Sequence, residues 1–326
     1  MTQARITGTG MYLPETVLTN KDLEAFCDTN DEWIRQRTGI EERHKAAPGE
    51  GTSDLALPAS QMAIENAGLV PDDLDAIICC TLTPDQLLPA SANLLHGKLG
   101  VKDIASFDIN AACSGFMAGL QTGDALITSG AYKTILVVGA EIQTNRMTWK
   151  NRDTAVLFAD GAGAVILEAS ENGHGVLTTH LGSDGSSYKV LHLPRGGSRE
   201  PFTKENLDDD AYTIYMSGPE LFKRAVIKFV EVTQEALDAT GLTMDDIDLF
   251  VPHQANLRII EAAGQRMGIA PEKVMVNIQK TGNTTAASIP IALHEAVQAG
   301  RVKEGDLILM ASFGAGLTWG AAIVRW

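Results

Sequence analysis

Two stretches, AIENAGLVPDDLDAIICC (residues 63–80) and ALDATGLTMDDIDLFVPH (residues 236–253), read alike and decide how the chain is organised. Ala, Gly-Leu, Asp-Asp and a further Asp recur at matching places. Each copy reads as a helix end, a glycine stop, an acidic turn and an apolar strand. Further along, SGAYKTILVVGAE (129–141) resembles AGRVKEGDLILMAS (299–312), and each leads into a glycine-rich hairpin, DGAGAVILEA (160–169) and GAGLTWGAAIVRW (314–326). Several echoes in one order argue for two similar halves, bounded here as residues 1–175 and 176–326. Each half alternates strands with helices, which predicts an α/β protein with layered sheets.

The pattern predicts strands at Ala76–Cys80, Ala105–Ile109, 134–138, 249–251, 274–277 and 307–310, and helices over 52–67, 113–129, 217–239, 256–267 and 284–300. The polar, turn-rich stretch 194–212 reads as a long surface loop.

Composition narrows the function. The chain has 326 residues, more than one domain usually holds, with 44% hydrophobic and 21% charged residues, as in a soluble globular protein. Its formal net charge of −15 and lack of a Lys/Arg run argue against nucleic-acid binding and against anionic membrane surfaces. No apolar run approaches the roughly 20 residues of a membrane span, and the start has no signal-peptide core. The four cysteines, Cys27, Cys79, Cys80 and Cys113, have neither zinc spacing nor a disulfide pattern. A cytoplasmic, reducing compartment follows, in which a free thiol persists.

Three polar residues follow strands and precede helices. Cys113, in SFDINAACSGFMAGL, falls where small residues turn the chain into a helix. There the helix dipole should lower the thiol pKa, and the cysteine's own N–H could serve an oxyanion. His253 comes just past an apolar strand ended by Pro252, and chemistry in parallel α/β sheets collects outside the carboxyl ends of strands. Asn283, in QKTGNTTAASIPIAL, occupies a place roughly equivalent to that of Cys113 in the other half. The alternatives are structural: a small core residue for Cys113, a hydrogen-bonded loop residue for His253, and a cap or turn residue for Asn283.

At these residues the chain resembles the beta-ketoacyl-acyl-carrier-protein synthase III family. The matching stretches are DTNDEWIRQRTGIEERH (28–44), AACSGF (111–116), FADGAGAVIL (158–167), VPHQANLRI (251–259), GNTTAAS (282–288) and FGAGLTWG (313–320). The resemblance implies a thiolase-like five-layer αβαβα sandwich built from two similar halves, usually a homodimer. It implies a catalytic triad of Cys113, His253 and Asn283, and an oxyanion hole from the backbone N–H groups of Cys113 and Ala315. It implies CoA contacts at Trp33, Arg37 and Arg152, and acyl carrier protein contacts at Gln254, Ala255, Asn256, Leu257 and Arg258. The implied reaction condenses an acyl-CoA with malonyl-acyl-carrier-protein, losing carbon dioxide, with no metal or cofactor. Leu87 and Leu88 stand where some relatives carry an aromatic residue that closes the acyl pocket across the dimer. Rival readings are a sister enzyme of specialised metabolism, a Cys-dependent thioester hydrolase, and a scaffold without chemistry.

Overall fold

The computed structural model describes residues 2–208 and 211–326. Its first sheet has five strands in the order Gln3–Tyr12, Asp160–Ser170, Thr134–Ile142, Ala76–Cys80 and Ala105–Ile109. The first two junctions are antiparallel and the last two parallel. The second sheet has four, Gly175–Ser183, Thr318–Arg325, Leu307–Gly314 and Leu249–Pro252, joined antiparallel, antiparallel and parallel. The four strands of the second sheet therefore repeat the first four of the first sheet, and Ala105–Ile109 has no counterpart strand among the described residues.

The parallel pair keeps a separation of 173 residues between the halves: residue 76 pairs with 135 as residue 249 pairs with 308. The expected strand at 274–277 is corrected. Val274 makes a single parallel bridge to Phe250, and the chain then leaves the sheet. Side chains draw it away: Asn277 donates its backbone N–H to Gln254 Oε1 at 3.1 Å and its Nδ2–H to Glu295 Oε2 at 3.0 Å.

Helices form five layers with the two sheets. Thr52–Asn66 packs on the outer face of the first sheet and Gly218–Thr240 on that of the second. Gly115–Thr128 and Ser288–Gln298 fill the space between them. The expected helix over 284–300 begins instead with a 3₁₀ turn at Thr285–Ala287, and that over 113–129 with one at Ala112–Ser114. Phe116, Met117 and Leu120, at most 1% exposed, join the two sheets in one central core. Each such side chain contributes about 1.5–3 kcal/mol when buried, so the middle layer, which carries the site, is held rigidly.

The stretch 194–212 is the connection inside a small hairpin, Leu191–His192 paired with Tyr215–Met216. Residues 209 and 210 of that stretch lie outside the described residues. Arg195 ties the connection to Glu200 and Asp208, and the rings of Phe202 and Tyr212 meet at 4.9 Å. Leu191 and Met216 of this hairpin wall the main cavity, while Tyr215 is exposed.

Candidate active site

Cys113 is delivered by a turn that only a rigid frame would hold. Strand Ala105–Ile109 ends, the Asn110 side chain accepts the Ala112 N–H at 3.2 Å, and Ala112 takes φ +48°. A non-glycine residue in that left-handed region is strained, at a cost of order 1–3 kcal/mol. The second half repeats the device: the Asn283 side chain accepts the Thr285 N–H at 2.9 Å, and Thr285 takes φ +50°. The sequence correspondence therefore shifts by three residues. Asn283 is the counterpart of Asn110, and the position matching Cys113 is Ala286.

This turn gives Asn283 two distinct ends. Its oxygen is used by the Thr285 N–H, so the carboxamide is orientated and Nδ2 is left as a donor with no hydrogen bond among the described residues. The reading of Asn283 as a turn residue thus holds for its oxygen alone. The asparagine backbone is clamped as well, its N–H donating to Leu157 O at 2.9 Å and its carbonyl accepting the Ala159 N–H at 3.0 Å.

His253 lies past the carboxyl end of strand Leu249–Pro252, where its N–H donates to Ala311 O at 2.8 Å. It is 1% exposed. Nδ1 meets Ser288 Oγ at 2.5 Å, whereas Nε2 is buried with no partner among the described residues. Burial pushes the imidazole pKa down to about 3, so the ring is neutral across the physiological range.

Cys113, His253 and Asn283 line one cavity of about 680 Å³ together with Phe313 and Gly314. Trp33, Arg37 and Arg258 line it too. A smaller cavity of about 110 Å³ lies on the other side of Cys113, bounded by Leu82, Phe158, Leu193 and Ile214. Cys113, Phe158 and Leu191 belong to both. The sulfur therefore stands between a wide chamber and a small apolar one.

The expectation of a lowered Cys113 pKa is corrected. Burial pushes the thiol up to about 12, and Glu141 adds to the rise. The backbone N–H groups of Ala315 and of Cys113 itself are directed at the sulfur and pull the other way. Desolvation outweighs the dipole because the residue is only 7% exposed and the α-helix proper starts two residues later.

Two hydroxyls hold the loop with Ala315 against the turn with Cys113. Thr318 Oγ lies 3.1 Å from Ala111 O and 2.9 Å from Ala315 O, and Ser312 Oγ donates to Ser114 Oγ at 3.0 Å. The two N–H groups that converge on the sulfur thus come from segments bonded to each other.

Trp33 sits on helix Asp31–Thr38, started by Asn30, whose side chain accepts the Trp33 N–H at 2.8 Å. The guanidinium carbon of Arg152 lies 4.4 Å from the Trp33 ring centre and that of Arg37 5.9 Å. Arg152 also donates to Asp28 O at 2.9 Å, and it is a neighbour of the cavity mouth rather than part of its lining. Arg258 is exposed at the rim on helix Leu257–Met267, which Asn256 caps. Ala255 lines the cavity and Leu257 is half-buried. Gln254 corrects the expectation of a carrier-protein contact: it is fully buried, donates to Pro252 O at 2.8 Å and Met275 O at 3.1 Å, and accepts the Asn277 N–H. It braces His253 and cannot meet a partner's surface.

Two residues escaped the sequence reading. Ser288 is bonded to His253, and its only signal was membership of GNTTAAS. Glu141 is fully buried below the small cavity, where it accepts hydrogen bonds from the Leu82 N–H at 3.2 Å and the Thr83 hydroxyl at 2.5 Å. Burial pushes its carboxyl up to about 7. It reads in sequence as the polar end of a strand.

Residues 107–185 match the sequence profile of 3-oxoacyl-[acyl-carrier-protein] synthase III, and residues 237–326 that of the C-terminal part of the same enzyme. The beta-ketoacyl-[acyl-carrier-protein] synthase III of Caldanaerobacter subterraneus subsp. tengcongensis is 49% identical over 323 residues, covering 99% of this chain and 98% of its own length. That of Symbiobacterium thermophilum is 49% identical over 321 residues, covering 98% and 97%. The crystal structure of 3-oxoacyl-[acyl-carrier-protein] synthase III from Aquifex aeolicus VF5 superposes with a TM-score of 0.93 at 47% identity, covering 99% of this chain and 100% of its own.

Proposed function

The chain belongs to the beta-ketoacyl-[acyl-carrier-protein] synthase III family, and on that premise we propose roles for its residues in the family's reaction. The reaction is an acyl transfer: an acyl-CoA and malonyl-acyl-carrier-protein condense with loss of carbon dioxide, giving a 3-oxoacyl-acyl-carrier-protein and initiating fatty acid synthesis.

In the first half-reaction the sulfur of Cys113 attacks the thioester carbon of acyl-CoA. The oxygen takes up negative charge and accepts hydrogen bonds from the N–H groups of Cys113 and Ala315. The carbon–sulfur bond to CoA then breaks, and the cysteine proton ends on the departing CoA sulfur. Trp33 supplies a flat face for the adenine, with Arg37 and Arg152 as cations for the phosphates. Their grouping at the mouth of the large cavity supports this assignment.

In the second half-reaction the malonyl carboxylate leaves as carbon dioxide, and its electron pair moves onto the thioester oxygen. His253 Nε2–H and Asn283 Nδ2–H donate to that oxygen. The α-carbon then attacks the acyl-cysteine carbonyl, the same two N–H groups hold the new oxyanion, and the Cys113 sulfur leaves and is reprotonated. Decarboxylation itself creates the nucleophile, so the proposal calls on no metal or cofactor. A histidine kept neutral by burial suits a donor role better than that of a strong base.

The small apolar cavity beyond Cys113 fits a short acyl group. Arg258, exposed on an otherwise acidic protein, suits an acidic carrier protein. Leu87 and Leu88, 91% and 86% exposed, line neither cavity. Such a leucine pair is expected to be covered, which favours the homodimer. We place the enzyme in the cytoplasm, where Cys113 stays reduced.

One observation carries this reading: a single cavity collects Cys113, the unpartnered Nε2 of His253 and the free amide nitrogen of Asn283. Incubation with radiolabelled acyl-CoA should label Cys113, and adding malonyl-acyl-carrier-protein should discharge the label as a 3-oxoacyl product. Full labelling of Cys113→Ala would overturn the nucleophile assignment, and release of free acid alone would overturn the condensation.

A further inference from the structure

We propose that the Ser288 hydroxyl fixes the tautomer of His253, holding the ring proton on Nε2, so that His253 is a hydrogen-bond donor throughout and never the base that takes the Cys113 proton. Ser288 is a positioning residue, and the inference rests on the condensing reaction proposed above.

The hydrogen-bond accounting runs through one oxygen. Ser288 Oγ lies 2.5 Å from His253 Nδ1 and accepts the backbone N–H of Gln254 at 3.3 Å. A backbone N–H can only donate, whereas a serine hydroxyl donates once and accepts twice. If Nδ1 carried the proton, Oγ would accept from both nitrogens, and its own hydrogen would need another acceptor. Among the described residues Ser288 Oγ has no such acceptor, and the residue is 2% exposed. A buried hydroxyl hydrogen without an acceptor is disfavoured. The consistent arrangement is Gln254 N–H donating to Oγ, the Ser288 O–H donating to Nδ1, and the single ring proton on Nε2.

The surroundings hold this arrangement in place. Gln254 cannot turn away, because its side chain donates to Pro252 O and Met275 O and accepts the Asn277 N–H. The His253 N–H is fixed on Ala311 O. Ser288 is the first residue of helix Ser288–Gln298, in the rigid middle layer. Burial keeps the ring neutral, so one ring nitrogen must lack a proton.

The consequence is a matched pair of donors. Nε2 is buried and unpartnered on the cavity side, and Asn283 has spent its oxygen on the Thr285 N–H, leaving Nδ2–H. The second half of the chain thereby presents two N–H groups to one oxygen before substrate arrives. An Nε2 that already holds its proton cannot accept one from Cys113. Ser288 therefore separates the two half-reactions: decarboxylation depends on it, and acylation does not.

The test compares Ser288→Ala and Ser288→Thr with the unaltered enzyme. Single-turnover labelling by radiolabelled acyl-CoA measures acylation, and carbon dioxide release from malonyl-acyl-carrier-protein measures decarboxylation. The alanine variant should lose about 10–100-fold in decarboxylation, the usual range for removing a group that orients a functional histidine. Its acylation should stay within about twofold, well below that range, and threonine should restore most of the loss. ¹⁵N spectra of histidine-labelled enzyme, assigned by difference from His253→Ala, should show a neutral Nε2–H ring. An Nδ1–H ring in the unaltered enzyme would overturn the inference, even if the alanine variant failed to fold. So would equal losses in both half-reactions, or an alanine variant that decarboxylates at the normal rate. Failure of acyl-CoA to label the unaltered enzyme at Cys113 would instead overturn the underlying reaction.

Discussion

Replacing Gly314 by alanine should silence the enzyme while leaving it folded. A Cβ placed on Gly314 would lie 2.6 Å from Cys113 Cβ, 3.0 Å from its backbone nitrogen and 3.0 Å from its sulfur. Carbon atoms in contact prefer about 3.5–4.0 Å, so the two segments must part by about 1 Å. These are the segments whose N–H groups, from Cys113 and Ala315, converge on the sulfur. Gly314 itself does not have a positive φ, so the cost is steric and local. A misplacement of about 1 Å lowers rates on the order of 100-fold, and loss of one oxyanion donor lowers them by about 100–1,000-fold. Acylation of Cys113 should therefore fall by a factor in that range. Overpacking of a rigid interior costs about 1–3 kcal/mol, which should lower the thermal midpoint by a few degrees without preventing folding. Single-turnover acylation with radiolabelled acyl-CoA, beside a thermal melt, measures both. An alanine variant that acylates within about tenfold of the normal rate, against the roughly 100-fold expected, would refute the geometry drawn for the oxyanion hole.

Three further outcomes are expected. Trp33→Ala should raise KM for acyl-CoA about tenfold with kcat unchanged, since stacking on a base contributes about 1–3 kcal/mol; an unchanged KM would place the adenine elsewhere. Arg258→Glu should raise KM for malonyl-acyl-carrier-protein, and added salt should narrow the difference from the unaltered enzyme because rim charges act through association; an equal effect on acyl-CoA kinetics would contradict this. Burial pushes the Glu141 carboxyl up from its ordinary 4.5 to about 7, so its protonated form is the one the fold favours. Its contribution is fully present below the lower value and lost as pH rises through the higher one, about 3 kcal/mol in all. Glu141→Gln should remove that slope from denaturant-unfolding curves measured across the interval, and an unchanged slope would contradict the assignment.

The architecture was legible because duplication writes the same pattern twice. The pair of stretches at 63–80 and 236–253 placed equivalent strands, and the observed registers keep the separation that they imply. The nucleophile turn was legible for a different reason, since small residues after a strand leave the backbone free to bend, whereas the repeat matched Cys113 to Asn283 and the structure matches it to Ala286. What could not be read was anything that depends on where water is. The N-terminal position of Cys113 argued for a lowered pKa, but packing between two sheets decided the opposite. Gln254 was expected at the carrier-protein surface because it stands in the segment 254–258 that the family resemblance assigns there. Only the folded chain shows its amide turned inward to Pro252 and Met275. The strand expected at 274–277 failed for a related reason: side chains of Gln254 and Glu295, distant in sequence, take the polar groups of Asn277 out of the sheet.

Comparison of the halves also explains why the site is asymmetric although the fold is not. Both halves build an asparagine-capped turn with a positive φ at the third position, Asn110 with Ala112 and Asn283 with Thr285. In the first half the following residue is Cys113, and in the second it is Ala286. At the matching strand ends, Cys80 in one half corresponds to His253 in the other. Cys80 is fully buried with a thiol pushed to well above its ordinary range, whereas His253 keeps Nε2 free beside the cavity. One scaffold, used twice, thus supplies a sulfur from one copy and two nitrogen donors from the other. Cys113 and Ala286, as counterparts, both lie in the buried centre between the sheets, which leaves room for one reactive side chain and demands a small partner opposite. The Cβ of an alanine at Gly115 would stand only 3.2 Å from that of Ala286, so a larger residue at Ala286 would press on the helix that begins beside the nucleophile. Chemistry at one copy of the turn therefore depends on the other copy remaining inert and small.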